Sequence, residues 1–310
     1  MAKPFMTYEQ QITYLVEKHM VIPDRTRAEL TLRRIGYFAL ICGYKHPFKN
    51  PTTKMYCDGV TFDDVTSLYR FDEALRELFL IYLLSVEREI KSLIAYRFCE
   101  KYGENHQAYL DPANYNDAPQ KKPAIRWLIG QLDKLVHQQT DYQYIEHQKS
   151  KHGNVPLWVL VSAMTFGNVA KMFGFLTQDL QSRIARNFPL NITQLDQMLS
   201  VLTKYRNVCA HGERLFSYTT RDDIPNLPLH VKLMIPKNGE QFIFGKRDLL
   251  AVVIALRYLL PREEFSVFKN KLSKLIAGFS ANCDALSEAD LLNSMGFPAY
   301  WKKITSYKLV

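Results

Sequence analysis

From residue 61 to residue 103 the chain carries apolar residues at steps of three and four: Val65, Leu68, Leu75 and Leu78, then Ile90, Leu93 and Ile94. That spacing lays a stripe along one face of a helix. Thr61 with Asp64 three residues on is a capping box that starts it, and Gly103 ends it. The segment is long for one helix, so a kink or break is expected near the apolar run Leu78 to Val86, bounded by Glu77 and Glu87. Thr7 with Gln10 starts a shorter helix that reaches about His19, and a second covers Arg25 to Ile35; a loop rich in Gly, Pro and Asn then leads to Gly59. Residues 111–123, with Pro112, Pro119 and Pro123, form another loop. Further helices are predicted over Ala124–Gln138, Leu157–Phe166 and Val169–Leu176, and from Thr193, where Leu195, Met198, Leu199 and Leu202 make the buried stripe. More follow over Asp248–Leu259, after Pro261 and after Ser287. Leu229–Ile235 and Gln241–Phe244 flank Lys237-Asn238-Gly239-Glu240, a hairpin signal. The pattern predicts a mainly α fold with one small β-hairpin.

Composition narrows the function only a little. The 310 residues, 47% hydrophobic, suffice for one large domain or two modest ones. Forty basic residues against thirty-one acidic ones leave a formal charge of +9, which suits a polyanionic partner or simply a basic soluble protein. Five scattered cysteines (Cys42, Cys57, Cys99, Cys209, Cys283) without a Cys-x-x-Cys pair point to reduced thiols in a cytoplasm. The opening Met1 to Glu9 has no apolar run, so no signal peptide is expected, and the run Leu78 to Val86 is too short to cross a membrane. Walker, Gly-x-Gly-x-x-Gly and Gly-x-Ser-x-Gly patterns do not occur. His137, His147 and His152 lack metal-ligand spacing and read as solvated surface. The acid pairs Asp63/Asp64 and Asp72/Glu73 are assigned to capping and surface. No metal and no cofactor is expected.

The stretch from Thr203 to Leu215 holds the candidate chemistry: Arg206, Asn207 and His211, with Lys204 and Arg214 beside them. Arginine grips phosphate with paired donors, and imidazole exchanges protons near neutral pH. Such a spacing arises about once by chance in a chain like this. Five helical steps also turn roughly 500°, leaving the two side chains about 140° apart unless the last turn loosens before Gly212. Three readings stay open: catalysis on RNA, a passive grip on phosphate, or a cationic helix end that supports an interface. Tyr37, Tyr44, Phe48, Tyr69 and the terminal Tyr300-Trp301-Lys302-Lys303 could stack on single-stranded nucleic acid or belong to the core.

Several ordered blocks resemble one family: Gln10-Gln11-Ile12-x-x-Leu15; Leu32-x-x-Ile35-Gly36-Tyr37-Phe38-x-Leu40-x-x-Gly43-Tyr44; Phe62-x-x-Val65-x-x-Leu68-Tyr69-Arg70-Phe71-Asp72-x-x-Leu75-Arg76; Val86-Glu87-Arg88-x-Ile90-Lys91-Ser92; Pro156-Leu157-Trp158 with Met164-Thr165-Phe166-Gly167; Arg206-Asn207-x-Cys209-Ala210-His211-x-x-Arg214-Leu215; and Met295-Gly296-Phe297-Pro298-x-x-Trp301. Together they resemble the bacterial Abi-like family of abortive-infection proteins (AbiD/AbiF type), whose members look like HEPN-fold ribonucleases. The resemblance implies an HEPN-like helical bundle with added N- and C-terminal helices. It would comprise an N-terminal helical segment (1–60), a core carrying the Arg-x4-His motif (61–220), and a hairpin with C-terminal helices (221–310). It implies catalytic roles for Arg206, His211 and Asn207. Because such sites combine two motifs and this chain has one, it also implies a homodimer. The implied partners are RNA as substrate and a structured noncoding RNA as regulator; Lys204, Arg214, Lys302 and Lys303 are the candidate RNA-binding residues.

Overall fold

A computed structural model describes residues 4–309. Two short helices, α1 (Tyr8–Glu17) and α2 (Arg25–Ile35), precede a turn of π-helix at Phe38–Cys42 and the long helix α3 (Phe62–Tyr102). Then come α4 (His106–Leu110), α5 (Lys122–His137), α6 (Gln143–His152), α7 (Leu157–Leu160), α8 (Phe166–Phe175) and α9 (Gln178–Ala185). The chain continues through α10 (Ile192–Ala210), α11 (Pro228–Lys232), the hairpin β1 (Lys237–Asn238) and β2 (Gln241–Phe242), α12 (Leu249–Leu259), α13 (Arg262–Ser280) and α14 (Glu288–Ser294). The fold is mainly α with one two-stranded antiparallel hairpin, as the sequence pattern predicts.

The Thr61–Asp64 capping box is formed at the start of α3, with Asp64 N–H donating to Thr61 Oγ1 at 3.1 Å and Thr61 N–H to Asp64 Oδ2 at 2.8 Å. The expected break is absent: α3 runs 41 residues without interruption. It contains neither proline nor glycine, the usual causes of a kink. The apolar run is also held from outside, where Phe79 and Tyr82 pack edge-on against Phe268 of α13 at 5.1 and 4.9 Å between centroids. Leu68, Leu75, Phe79, Leu83, Ile90, Ile94 and Phe98 are completely buried along it, each worth about 1.5–3 kcal/mol of apolar transfer. Helices α7, α9, α10, α12 and α13 all pack on α3. Every residue of α12 is buried, so this helix is core on all sides.

Three predicted elements change. Leu229–Ile235 is not a strand: Pro228 takes the first position of α11, and the buried His230 ring is fixed by Leu227 N–H at 3.1 Å and by the Gly245 carbonyl at 2.7 Å. The hairpin therefore keeps only two residues per strand around Gly239. The segment Leu157–Phe166 divides, because the Thr165 hydroxyl accepts Asn168 N–H at 3.2 Å and starts α8 there. The stretches 143–152 and 178–185, for which no helix is predicted, are helices; the first has little apolar periodicity, whereas the second buries Leu180 and Ile184 one turn apart. Near the C-terminal end, Gly296 has φ +79°, and a Cβ there would lie 2.4 Å from Asp248 Cγ. Only glycine fits that approach. No described helix is long and apolar enough to cross a membrane.

Candidate active site

Helix α10 begins with a capping box between Asn191 and Gln194 and packs its buried stripe, from Leu195 to Cys209, on α3 and α8. It ends in a Schellman arrangement: Glu213 N–H donates to the Val208 carbonyl at 3.1 Å, Gly212 N–H to Cys209 at 3.4 Å, and Gly212 takes φ +69°. The left-handed terminus expected at Gly212 is present. His211 is the cap residue, exposed, with helical hydrogen bonding intact from its N–H to the Asn207 carbonyl at 2.9 Å. The last turn therefore does not unwind before His211. Arg206 turns toward α3 while Asn207 and His211 are exposed.

On α3, Glu87 is 4% exposed, and its carboxylate is shared by two cations. Oε2 accepts Arg206 Nε–H at 3.0 Å, and Oε1 meets Lys91 Nζ at 2.9 Å. Among the described residues, neither terminal amino group of Arg206 donates a hydrogen bond. The half-buried guanidinium is thus oriented through its Nε while its two-pronged end remains free, a geometry suited to a phosphate. Glu87 stands in the Val86-Glu87-Arg88 block, and nothing in the sequence marks it as a positioning residue. The i, i+4 pair Glu87/Lys91 was the available sign, and it resembles any surface helix pair until α10 covers it.

The chain leaving the motif is tied down by a buried polar cluster. Asp72, assigned to the surface by sequence, has no exposed area. Its Oδ2 accepts the Tyr44 hydroxyl at 2.7 Å, Arg76 at 2.6 Å and Leu215 N–H at 3.0 Å; Oδ1 accepts Phe216 N–H at 2.7 Å. Its place well inside α3, rather than in the first turn, removes the capping rationale, and satisfied acceptors make its burial tolerable. Burial pushes the Asp72 carboxyl up, opposed by Tyr44, the Leu215 N–H and Arg76. Arg76 also donates to the Glu213 carbonyl at 3.3 Å, and Arg214 to the Gly43 carbonyl at 2.6 Å. Burial pushes the neighbouring Cys209 thiol up to about 12.

The candidate RNA-binding residues fall into two groups. Lys204 and Arg214 flank the motif, but Lys204 is paired with Asp222 and Arg214 with Gly43. Lys302 and Lys303 lie on a terminal 3₁₀ turn, Trp301–Ser306, that packs on α13; Lys302 reaches Glu288 at 3.5 Å and Lys303 lies 4.9 Å from the centre of the Tyr300 ring. Tyr44, Phe48 and Trp301 are core, whereas Tyr300 is exposed. Beside Glu87 opens a groove of about 890 Å³ between α3 and α7, walled by Leu84, Arg88, Tyr96 and Trp158. Ile81, Leu84, Tyr96 and Trp158 are all exposed there or along the same helix.

The family model described as Abi-like protein matches residues 30–217, well over half of the chain, and spans Tyr44, Asp72, Glu87, Arg206 and His211. No curated protein and no solved structure matches.

Proposed function

The chain belongs to the Abi-like family, and from that premise we propose that it is a metal-independent endoribonuclease of the HEPN kind, acting in abortive infection against phage. The observation that carries this reading is the held Arg206: its Nε is occupied by Glu87, its paired donors are unused, and an exposed His211 follows at the helix cap. In the reaction a ribose 2′-hydroxyl attacks the adjacent phosphorus. The O2′–P bond forms, the P–O5′ bond breaks, and the products carry a 2′,3′-cyclic phosphate and a 5′-hydroxyl. One His211 imidazole takes the 2′-hydroxyl proton; a second, protonated, gives a proton to the leaving O5′. Arg206 neutralises charge on the phosphorane, and Asn207 orients the imidazole or the phosphate. DNA has no attacking hydroxyl and is not cut.

One chain supplies one imidazole from this motif, and Arg206 and His211 face different ways within it. Two copies related by a twofold axis would supply both imidazoles. The groove at Glu87 supports such a contact, since exposed tryptophan and tyrosine lining it are characteristic of interface anchors. In this reading 61–220 is the catalytic unit, and a structured RNA held on the basic surface restrains it in the cytoplasm. The test is cleavage of total RNA by purified protein. Arg206→Ala and His211→Ala should each lower cleavage by at least about 10³-fold, with an unchanged circular dichroism spectrum. A wild-type protein that binds RNA without cutting it, with binding weakened by Arg206→Ala, establishes a passive phosphate grip instead. Joint loss of dimer and thermal stability in both variants establishes a structural role.

A further inference from the structure

Between Leu30 and Cys57 the chain has five basic residues, Arg33, Arg34, Lys45, Lys49 and Lys54, and no acidic one. A run of like charge is often only a solvated face, so what matters is where folding puts it. Lys45 and Lys49 are half-buried and line one hollow with Lys18, the cap residue of α1, while Lys54 is exposed. Arg214 joins them from the motif side, its guanidinium donating to the Gly43 carbonyl at 2.6 Å. His46 feels the whole group: after burial, the charges of Lys45, Arg214, Lys49 and Lys54 pull its imidazole pKa down. Lys49 in turn feels Lys45 and Lys18. Five cations are therefore one connected set that begins where the chain leaves His211 and ends at α1.

Their hydrogen bonds go to neutral acceptors. Lys49 Nζ donates to the Lys54 carbonyl at 2.9 Å, Lys54 Nζ to the Pro51 carbonyl at 2.5 Å, and Lys45 Nζ meets the Cys42 sulfur at 4.0 Å. Such bonds hold an ammonium in place, leave it further donors and do nothing to its charge. Among the described residues none of the five is in an ion pair. Gathered like charges repel one another until a polyanion lies across them. Two exposed rings accompany them: Tyr14, whose ring centre is 5.5 Å from Lys18 Nζ, and Phe38, 83% exposed on the π-turn. Aromatic faces beside cations suit a single strand, whose bases are free to stack.

We infer that this surface is the path of single-stranded RNA away from the motif, its phosphates running from Arg214 over Lys45, Lys49 and Lys54 to Lys18 and its bases against Phe38 and Tyr14. That the polyanion is RNA rests on the ribonuclease reading. An anionic membrane would use the same charges, but the path leads back to Arg206, whose paired donors are unused. Contacts of this kind fix the strand's position without reading its sequence.

Fluorescence anisotropy tests the path, with a labelled single-stranded RNA of about 20 nucleotides and full-length His211→Ala protein as the uncut background. Lys45, Lys49 and Lys54 are changed together to glutamine, which keeps a donor for each acceptor and removes the charge. Binding near physiological salt should weaken at least about tenfold, and the slope of log Kd against log salt should fall by about 2, at about 0.7 for each lost phosphate contact. Lys54→Gln alone, at an exposed position, should lower the slope by about 0.7. A matched triple on α13, Lys269→Gln with Lys271→Gln and Lys274→Gln, removes the same charge and should change neither quantity. Phe38→Ala should weaken binding about tenfold at an unchanged slope. Equal losses from the two triples, no loss or an unchanged slope from the first, or Phe38→Ala without effect overturns the path. So does binding to phosphatidylserine vesicles, abolished by the first triple, in a protein that ignores RNA. Cleavage is scored separately on wild-type protein. RNA held as expected but never cut sinks the ribonuclease reading and keeps the path; cutting with a KM indifferent to the first triple does the reverse.

Discussion

Glu87 is almost wholly buried, yet through the Nε of Arg206 it fixes where that guanidinium points. Replacing it by glutamine keeps the size and removes the charge that holds the guanidinium. The expected result is a loss of about 10²-fold in kcat with a small change in KM, because a misplaced donor costs most where charge develops. An equal fall in kcat/KM caused by KM alone shows that Glu87 serves binding instead. Arg206 and His211 stand out as candidates in the sequence because their residue types carry their chemistry wherever they stand. Glu87 and Asp72 do not. An acid in a helix is a surface residue by default, and only α10 and the Leu215-Phe216 backbone, more than a hundred positions away, convert these two into buried groups.

Among elements, the clearest were those with their own signals, such as α3 with its capping box and the end of α10 at Gly212. Helix α6 lacks an apolar period, α9 has only the short pair Leu180 and Ile184, and α11 looks like a strand because Leu229, Val231, Leu233 and Ile235 alternate with other residues. Tertiary contacts, through His230 above all, decide that segment. The start of α12 permits two tests. Gly296→Ala should destabilise the protein by about 2 kcal/mol or more in urea unfolding, since it adds both positive-φ strain and a collision with Asp248. A change under about 0.5 kcal/mol would show that the loop yields freely. Asp248 itself caps α12 through Ala251 N–H at 3.1 Å, and burial pushes its carboxyl up to about 6, against the pull of Gly245 and Ala251 N–H. The folded value exceeds the unfolded one of 3.8, so the folded state binds the extra proton. Its contribution is whole below about pH 4 and is lost as pH rises through about 6. Asp248→Asn keeps an acceptor and cannot ionise. Its advantage over wild type should grow between pH 4 and 7 by about 2–3 kcal/mol; a difference flat across that range contradicts the raised value.

For the whole molecule, the proposed dimer across the groove beside Glu87 ties assembly to the proposed activity. Trp158→Glu places a charge on the apolar wall at a side chain that is 52% exposed. Size-exclusion with light scattering should show the dimer reduced to monomer, and RNA cleavage should fall with it. An intact, active dimer would place the partner contact on another face. The general architecture was readable from periodicity, whereas which faces stay open was not, because exposure depends on how every other helix packs. The 41 residues of α3 have one more consequence, and it concerns synthesis. This helix leaves the ribosome long before α10 and α13 exist to cover it. At about 5–20 residues per second, translation from Tyr102 to Ala210 takes roughly 5–20 seconds. For that interval Leu83, Ile90 and Ile94 have few companions, and the half-made chain offers neighbouring polysomes its stickiest surface.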